Sequence, residues 1–91
     1  MEIQQTDGES KGIFKAVESG KEAGRMTYSK AGNNSIIDHT EVNPEFNGKG
    51  VGKKMVIEAI KYARENNIKI LPLCPFVKSV FDKTPEIRDV L

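Results

Sequence analysis

SIIDHTEVNPEFNGKGVGKKMVIEAIKYARE, residues Ser35–Glu65, is the stretch that decides the fold. It contains, in order, a β-branched run, a proline, a loop with three glycines at alternating positions, and a segment with helical periodicity. From about Gly50 to Glu65, Val51, Met55, Ala59 and Tyr62, with the neighbouring row Val56, Ile60 and Ala63, repeat at 3.6 residues. Lys53, Lys54, Glu58, Lys61, Arg64 and Glu65 occupy the other side, so the spacing predicts an amphipathic helix. Asn66–Asn67 supplies its stop, because Asn tolerates the left-handed conformation that closes a helix. Upstream, Ser35–Asn43 carries Ile36, Ile37, Thr40 and Val42 and reads as a central strand. Pro44 has no N–H to donate and ends its ladder, leaving Glu45–Lys49 as a loop.

On the N-terminal side, turn-forming clusters at Thr6–Gly12, Ser19–Lys21 and Ala31–Asn34 leave short runs that read as strands. Ile13, Lys15 and Val17 alternate with Phe14, Ala16 and Glu18; Gly24, Met26 and Tyr28 alternate with Arg25, Thr27 and Ser29. These two runs predict a hairpin. On the C-terminal side, Ile68–Leu73 reads as a buried strand ended by Pro72 and Pro75, followed by a short helix over about Phe76–Lys83 and a helical turn through Ile87–Leu91. The expected fold is α+β: a mostly antiparallel sheet of about five strands, one long helix packed on it and a short helical tail. With 91 residues and 37% hydrophobic content, residues 1–91 make a single domain with one modest core.

Composition removes several functions. Fourteen Lys and Arg against 13 Asp and Glu give a net charge of +1, without the basic excess that nucleic-acid binding uses. Cys74 is the single cysteine and has no zinc-type spacing around it, so neither an internal disulfide nor a metal site is expected. MEIQQTDGESKG lacks the pattern of a signal peptide, and no apolar run approaches a membrane span. The expectation is a cytoplasmic protein, a monomer or weak homodimer, with no nucleic-acid or membrane partner.

The chemistry concentrates in Asn47-Gly48-Lys49-Gly50-Val51-Gly52-Lys53-Lys54 at the start of the helix. Glycines there allow positive φ and close backbone approach, so N–H groups converge on an anion at the positive end of the helix. Phosphate suits that arrangement, with Lys49, Lys53 and Lys54 adding charge. A P-loop is excluded because Gly52-Lys53 is followed by Lys54 where Ser or Thr is needed. A dinucleotide fingerprint is excluded because the glycines follow several antiparallel strands.

Asn47-x-x-Gly50-x-Gly52 resembles the Arg/Gln-x-x-Gly-x-Gly/Ala signature of the GNAT N-acetyltransferases, and His39-Thr40-Glu41-Val42, Ala63-Arg64 and Lys69–Phe76 sharpen the likeness to the small, single-domain YjdJ-type branch. The resemblance runs from about Phe14 to Phe81. It implies acetyl-CoA as cosubstrate, held by Val42, Asn47, Gly48, Lys49, Gly50, Val51, Gly52 and Lys53, and an unidentified amine as acceptor. Two departures stand out: Asn47 replaces the usual Arg or Gln, and the early helices that wall the acceptor site in full-length members are missing.

Strict alternation puts Ile37, His39 and Glu41 on one face of their strand, and Ile36, Asp38, Thr40 and Val42 on the other. His39 and Glu41 are therefore either a catalytic pair or solvated residues on an exposed sheet face. An acidic base on this strand is what the resemblance implies, which favours Glu41. Cys74, at the end of the last strand, is either a small buried packing residue or a thiol beside the thioester, as relay or pocket wall. The helix after this strand offers Phe76 and Phe81 where the family commonly carries a tyrosine acid. The functional expectation is acetyl transfer to an amine, against the alternative of a non-catalytic acyl-CoA-binding or partner-binding module.

Overall fold

In the computed structural model, which describes residues 1–91, five strands lie side by side in chain order: β1 (Glu2–Asp7), β2 (Lys11–Glu18), β3 (Lys21–Ala31), β4 (Asn34–Val42) and β5 (Lys69–Pro72). β1 to β4 pair antiparallel, and β4 pairs parallel with β5. A parallel pair needs a crossover, and helix α1 (Val51–Glu65) supplies it. Helix α2 (Pro75–Lys83) and a 3-10 turn over Pro85–Val90 complete the chain. This is the α+β arrangement that the periodicities predict.

The turns are tighter than the turn-forming clusters suggest. Thr6 and Asp7 belong to β1, Lys11 and Gly12 to β2, Lys21 to β3 and Asn34 to β4. Ser19 and Gly20 (φ 51° and 78°) make the second connection and Gly32 (φ 60°) stands in the third, left-handed conformations that match the twist of the flanking strands. Once the reversal is made there, the neighbouring polar residues join the ladder.

The apolar stripe of α1 is buried as its spacing requires: Val51, Met55, Val56, Ala59, Ile60 and Ala63 meet Phe14, Ala16, Met26, Tyr28, Ile37 and Ile70 of the sheet. Gly12 makes room for Tyr28, since a Cβ there would lie 2.2 Å from the phenol ring. Asn67 closes α1 in the left-handed conformation (φ 54°), as expected of Asn.

Helices α1 and α2 touch each other and lie on the same side of the sheet, which leaves a slab only 20 Å thick. On the opposite face Ile13, Val17, Thr27 and Ile36 are half-buried, and Arg25, Asp38, His39, Glu41 and Leu71 are exposed. No helix is long and apolar enough to cross a membrane.

One irregularity changes the faces of β4. Thr27 pairs with His39 but Tyr28 pairs with Ile37, so Asp38 has no partner and forms a bulge. Thr27 Oγ1 donates to Asp38 Oδ1 at 2.7 Å and pins it. The extra residue resets the alternation, which corrects the expectation that Ile37 shares a face with His39 and Glu41. Ile37 is fully buried under the helices, whereas His39 and Glu41 stand on the uncovered face.

Candidate functional site

The site begins where β4 and β5 part. Their ladder runs from Asn34↔Lys69 to Ile37↔Pro72. The N–H groups of Leu73 and Cys74 then both donate to the Ile37 carbonyl, at 3.0 and 3.1 Å. Beyond this point the chain enters α2, Pro75 fixing its first turn, while β4 continues through Val42 paired with β3 only. The result is a wedge-shaped opening with β4 on one side and Cys74 and α2 on the other.

The start of α1 lies at the wide end of this opening. Asn43 Oδ1 accepts from Glu45 N at 3.1 Å and caps a 3-10 turn over Pro44–Phe46, whose Phe46 ring is buried. The chain then passes through Gly48 (φ 81°) and Gly50 (φ 71°), and the first helical bond runs from Lys54 N to Gly50 O at 3.0 Å. Val51, Gly52 and Lys53 thus present N–H groups with no backbone acceptor, no side-chain cap and no acidic residue in their turn. Such a helix start attracts an anion.

A groove of about 280 Å³ lies over these groups. Val42, Asn47, Gly48, Gly50, Val51, Gly52 and Lys53 line it, together with Phe46 and Phe76. Lys49, expected among them, is turned away: its Nζ lies 3.7 Å from Glu18 Oε2 and 5.3 Å from the centre of the Phe46 ring. A hairpin carboxylate and an aromatic face attract the ammonium more than the open groove does. Gly52 lies against Phe76: a Cβ there would sit 2.6 Å from Phe76 Cζ, so the ring, 41% exposed, would have to move aside. A second recess of about 220 Å³ shares Lys53 and Phe76 and continues along α2 past Ser79 to Lys83. Lys83 was not singled out by the sequence, and only the amphipathic tail helix that carries it could have signalled it.

On the uncovered face, His39 Nε2 and Glu41 Oε1 are 2.8 Å apart. Glu41 is held below the usual carboxylate range by its hydrogen bond to His39, by the imidazole's charge when protonated, and by Arg25 across the strand. Arg25 itself is bonded to Glu22 at 2.8 Å.

Cys74 is buried at the start of α2, with its Sγ 3.5 Å from Thr40 Oγ1. Burial raises its pKa, but the Thr40 hydroxyl and the backbone of Val77, Phe76 and Thr40 outweigh it, so the thiol is more acidic than usual. It does not line the groove; it lies deeper in the opening, facing Thr40, two residues along β4 from Val42. Neither tyrosine is nearby. Tyr28 and Tyr62 both donate to Asp7 of β1, where Lys30 Nζ also binds at 2.9 Å.

The sequence pattern of the GCN5-related N-acetyl-transferase family matches residues 13–90. Among solved structures, a GCN5-like protein from Staphylococcus aureus shares 37% identity over 98% of this chain and 85% of its own, with a TM-score of 0.72. An aminoglycoside N-acetyltransferase in complex with CoA aligns at 12% identity and a TM-score of 0.69, covering 90% of this chain and 88% of that one. A Bacillus anthracis protein described as a streptothricin acetyltransferase, solved with acetyl coenzyme A, aligns at 21% identity and a TM-score of 0.65. It covers 85% of this chain, which spans 47% of that larger protein. At 12% and 21% the likeness is one of fold. No curated protein sequence matches significantly.

Proposed function

Because the chain belongs to the GCN5-related N-acetyltransferase family, we propose that it binds acetyl-CoA in the groove at the start of α1 and transfers the acetyl group to a primary amine at the opening between β4 and β5. The observation that carries this is the continuity of the two features: unbonded N–H groups suited to a pyrophosphate stand at the wide end of an opening that narrows towards Thr40 and Cys74. Val51, Gly52 and Lys53 hold the pyrophosphate through their backbone, Lys53 adds charge, and Phe76 packs on the apolar arm. Two of the structures of this fold hold acetyl-CoA or CoA.

In the transfer, the amine nitrogen bonds to the thioester carbonyl carbon, the C–S bond breaks, the amine gives up a proton and the departing thiolate gains one. An amine nucleophile must be neutral, so a base is needed within reach. We assign it to His39 rather than to Glu41. Glu41 is held ionised, which makes it a weak base, and its bond to Nε2 leaves the lone pair of the neutral ring on Nδ1. Glu41 orients the ring and stabilises the imidazolium that forms. Cys74, acidified and close to Thr40, is placed to share a proton with the departing thiolate.

Calorimetric titration tests the binding half. Acetyl-CoA and CoA bind while ATP and NAD do not, and equal binding of ATP would remove the cofactor assignment. An amine-library screen with CoA-thiol release tests the chemical half. Saturable acetyl-CoA binding with no transfer to any amine would instead favour a binding module.

A further inference from the structure

We propose that Asn47-Gly48 is a site of spontaneous covalent modification coupled to the cofactor groove: the Asn47 amide cyclises onto the Gly48 nitrogen with loss of ammonia, and hydrolysis leaves a carboxylate that weakens CoA binding. The cyclisation stands on the loop alone, and its coupling to CoA rests on the cofactor assignment above.

Ring closure needs an asparagine with a free amide, a following N–H that is unbonded, and a next residue that does not obstruct the approach. Asn47-Gly48 is the one Asn-Gly pair in the chain. Both residues are exposed, and nothing lies within 4 Å of the Cβ position on Gly48. The backbone bonds of this turn run from Asn47 N to Pro44 O at 3.2 Å and from Lys49 N to Phe46 O at 3.3 Å, and pass over the Gly48 N–H. Both stand at the long end of the range for such bonds, so the turn is weakly held.

The other asparagines each lack a requirement. Asn43 precedes Pro44, which has no N–H, and its amide is bonded at both ends, to Glu22 O and Glu45 N. Asn66 donates to Tyr62 O at 2.8 Å. Asn67 precedes Ile68, which is β-branched and whose N–H is bonded to Ala63 O at 2.8 Å. Asn33 and Asn34 are followed by residues fixed in the ladders of β4.

Water is the one co-reactant. The Gly48 nitrogen gives its proton to solvent and bonds to Asn47 Cγ; the Cγ–Nδ2 bond breaks and ammonia leaves, taking a proton from water. Water then cleaves either imide C–N bond of the succinimide, which yields aspartate, or isoaspartate with the chain rerouted through the side-chain carbon. Asn47 stands at ψ 141°, which turns the Gly48 nitrogen away from Cγ, so the ring closes only after rotation about that bond. Gly48, at φ 81° and without a side chain, permits the rotation. An anion bound to the N–H groups of Val51, Gly52 and Lys53 restrains the loop and opposes it.

The product changes the charge of the groove. Asn47 lines it together with Gly50, Val51, Gly52 and Lys53. A neutral amide there becomes a carboxylate, which repels the phosphates and competes with them for the positive end of α1. An occupied groove is therefore preserved, and an empty one decays.

The test holds the protein with and without CoA at mildly alkaline pH and physiological temperature, and follows amide-to-acid conversion at every asparagine by peptide mass spectrometry. Conversion should be fastest at Asn47, and CoA at about ten times its Kd should slow it about tenfold, because only the free fraction reacts. By calorimetry, Asn47→Asp should bind CoA about tenfold more weakly than the neutral Asn47→Ser at low salt, with the gap narrowing at high salt. Asn47→Gln, limited to a slower six-membered ring, should keep its starting affinity through an incubation in which the parent loses affinity. Conversion at Asn47 no faster than at Asn33 or Asn66, conversion indifferent to CoA, or equal affinities of Asn47→Asp and Asn47→Ser would overturn the proposal while CoA binding by fresh parent protein stands. Fresh parent protein that binds no CoA would overturn the cofactor reading, and the coupling with it.

Discussion

Replacing Gly50 by valine probes the groove at the residue whose backbone shapes it. Gly50 sits at φ 71°, ψ 27°, immediately before α1. An L-residue in that conformation costs about 1–2 kcal/mol, and a β-branched one lies at the upper end. Nothing lies within 4 Å of the Cβ position, so no core packing is lost. At about 4–8 °C per kcal/mol for a domain of this size, Tm should fall by roughly 4–16 °C and the protein stay folded at 25 °C. Binding should suffer separately, because Gly50 lines the groove and the isopropyl group would take up part of its space. Hydrogen bonds to charged groups contribute about 1.5–3 kcal/mol each, so losing even one weakens acetyl-CoA by about tenfold or more. Gly32→Val is the control: it has the same left-handed strain (φ 60°) and open surroundings, at the opposite end of β4. Melting curves should shift for both variants, and calorimetric affinity should drop for Gly50→Val alone. A folded Gly50→Val protein that binds acetyl-CoA as the parent does would refute the assignment of the anion to this helix start.

Three further outcomes follow from the geometry. His39→Ala should lower kcat by about 10²–10⁴-fold and Glu41→Gln by less, with acetyl-CoA affinity unchanged in both; a larger loss from Glu41→Gln would return the base to the carboxylate, and small equal losses would mean that the amine arrives neutral. Bound acetyl-CoA should slow alkylation of Cys74, and Cys74→Ala should reduce turnover without preventing binding; an alkylation rate blind to ligand, with full activity in Cys74→Ala, makes Cys74 a packing residue. Asp7 is held below the usual carboxyl range, first by the Tyr28 hydroxyl and then by Lys30 and Tyr62, against the opposing effect of burial. A depressed carboxyl stabilises the fold above its unfolded pKa and loses that contribution as pH falls through its folded value. Thermal melts from pH 7 to pH 2 should therefore show Asp7→Asn less stable than the parent at neutral pH, by about 0.5 kcal/mol because the exposed carboxylate is screened by solvent, and the two converging in acid; a gap that persists at pH 2 would remove the ionic contribution.

The parts legible in the sequence are those set by local chemistry. Helical spacing located α1, because a stripe such as Val51, Met55, Ala59 has one sensible burial, and Asn67 closed it for the reason Asn usually does. The glycine loop was legible because Gly48 and Gly50 adopt conformations that other residues avoid. The bulge at Asp38 was not. A bulge is a property of two paired strands, and nothing in Ile36-Ile37-Asp38-His39 says where β3 will slip by one residue. The consequence was a wrong face for Ile37, although His39 and Glu41 kept their common one. Lys49 was misplaced for a similar reason: its partners Glu18 and Phe46 reach it only through the fold. β1 carries little signal, since in Glu2–Asp7 only Ile3 packs on the core, while Gln5 and Asp7 are held by hydrogen bonds to Tyr28.

The most direct measurement is a titration of isotopically labelled protein with acetyl-CoA, followed by amide chemical-shift changes residue by residue. The largest changes should fall on Gly50, Val51, Gly52 and Lys53, with a second set on Thr40, Val42, Cys74 and Phe76 along the opening, and the Asp7–Tyr28–Tyr62 end should stay silent. Shifts confined to that end, or none at saturating acetyl-CoA, would contradict the placement of the cofactor at the start of α1.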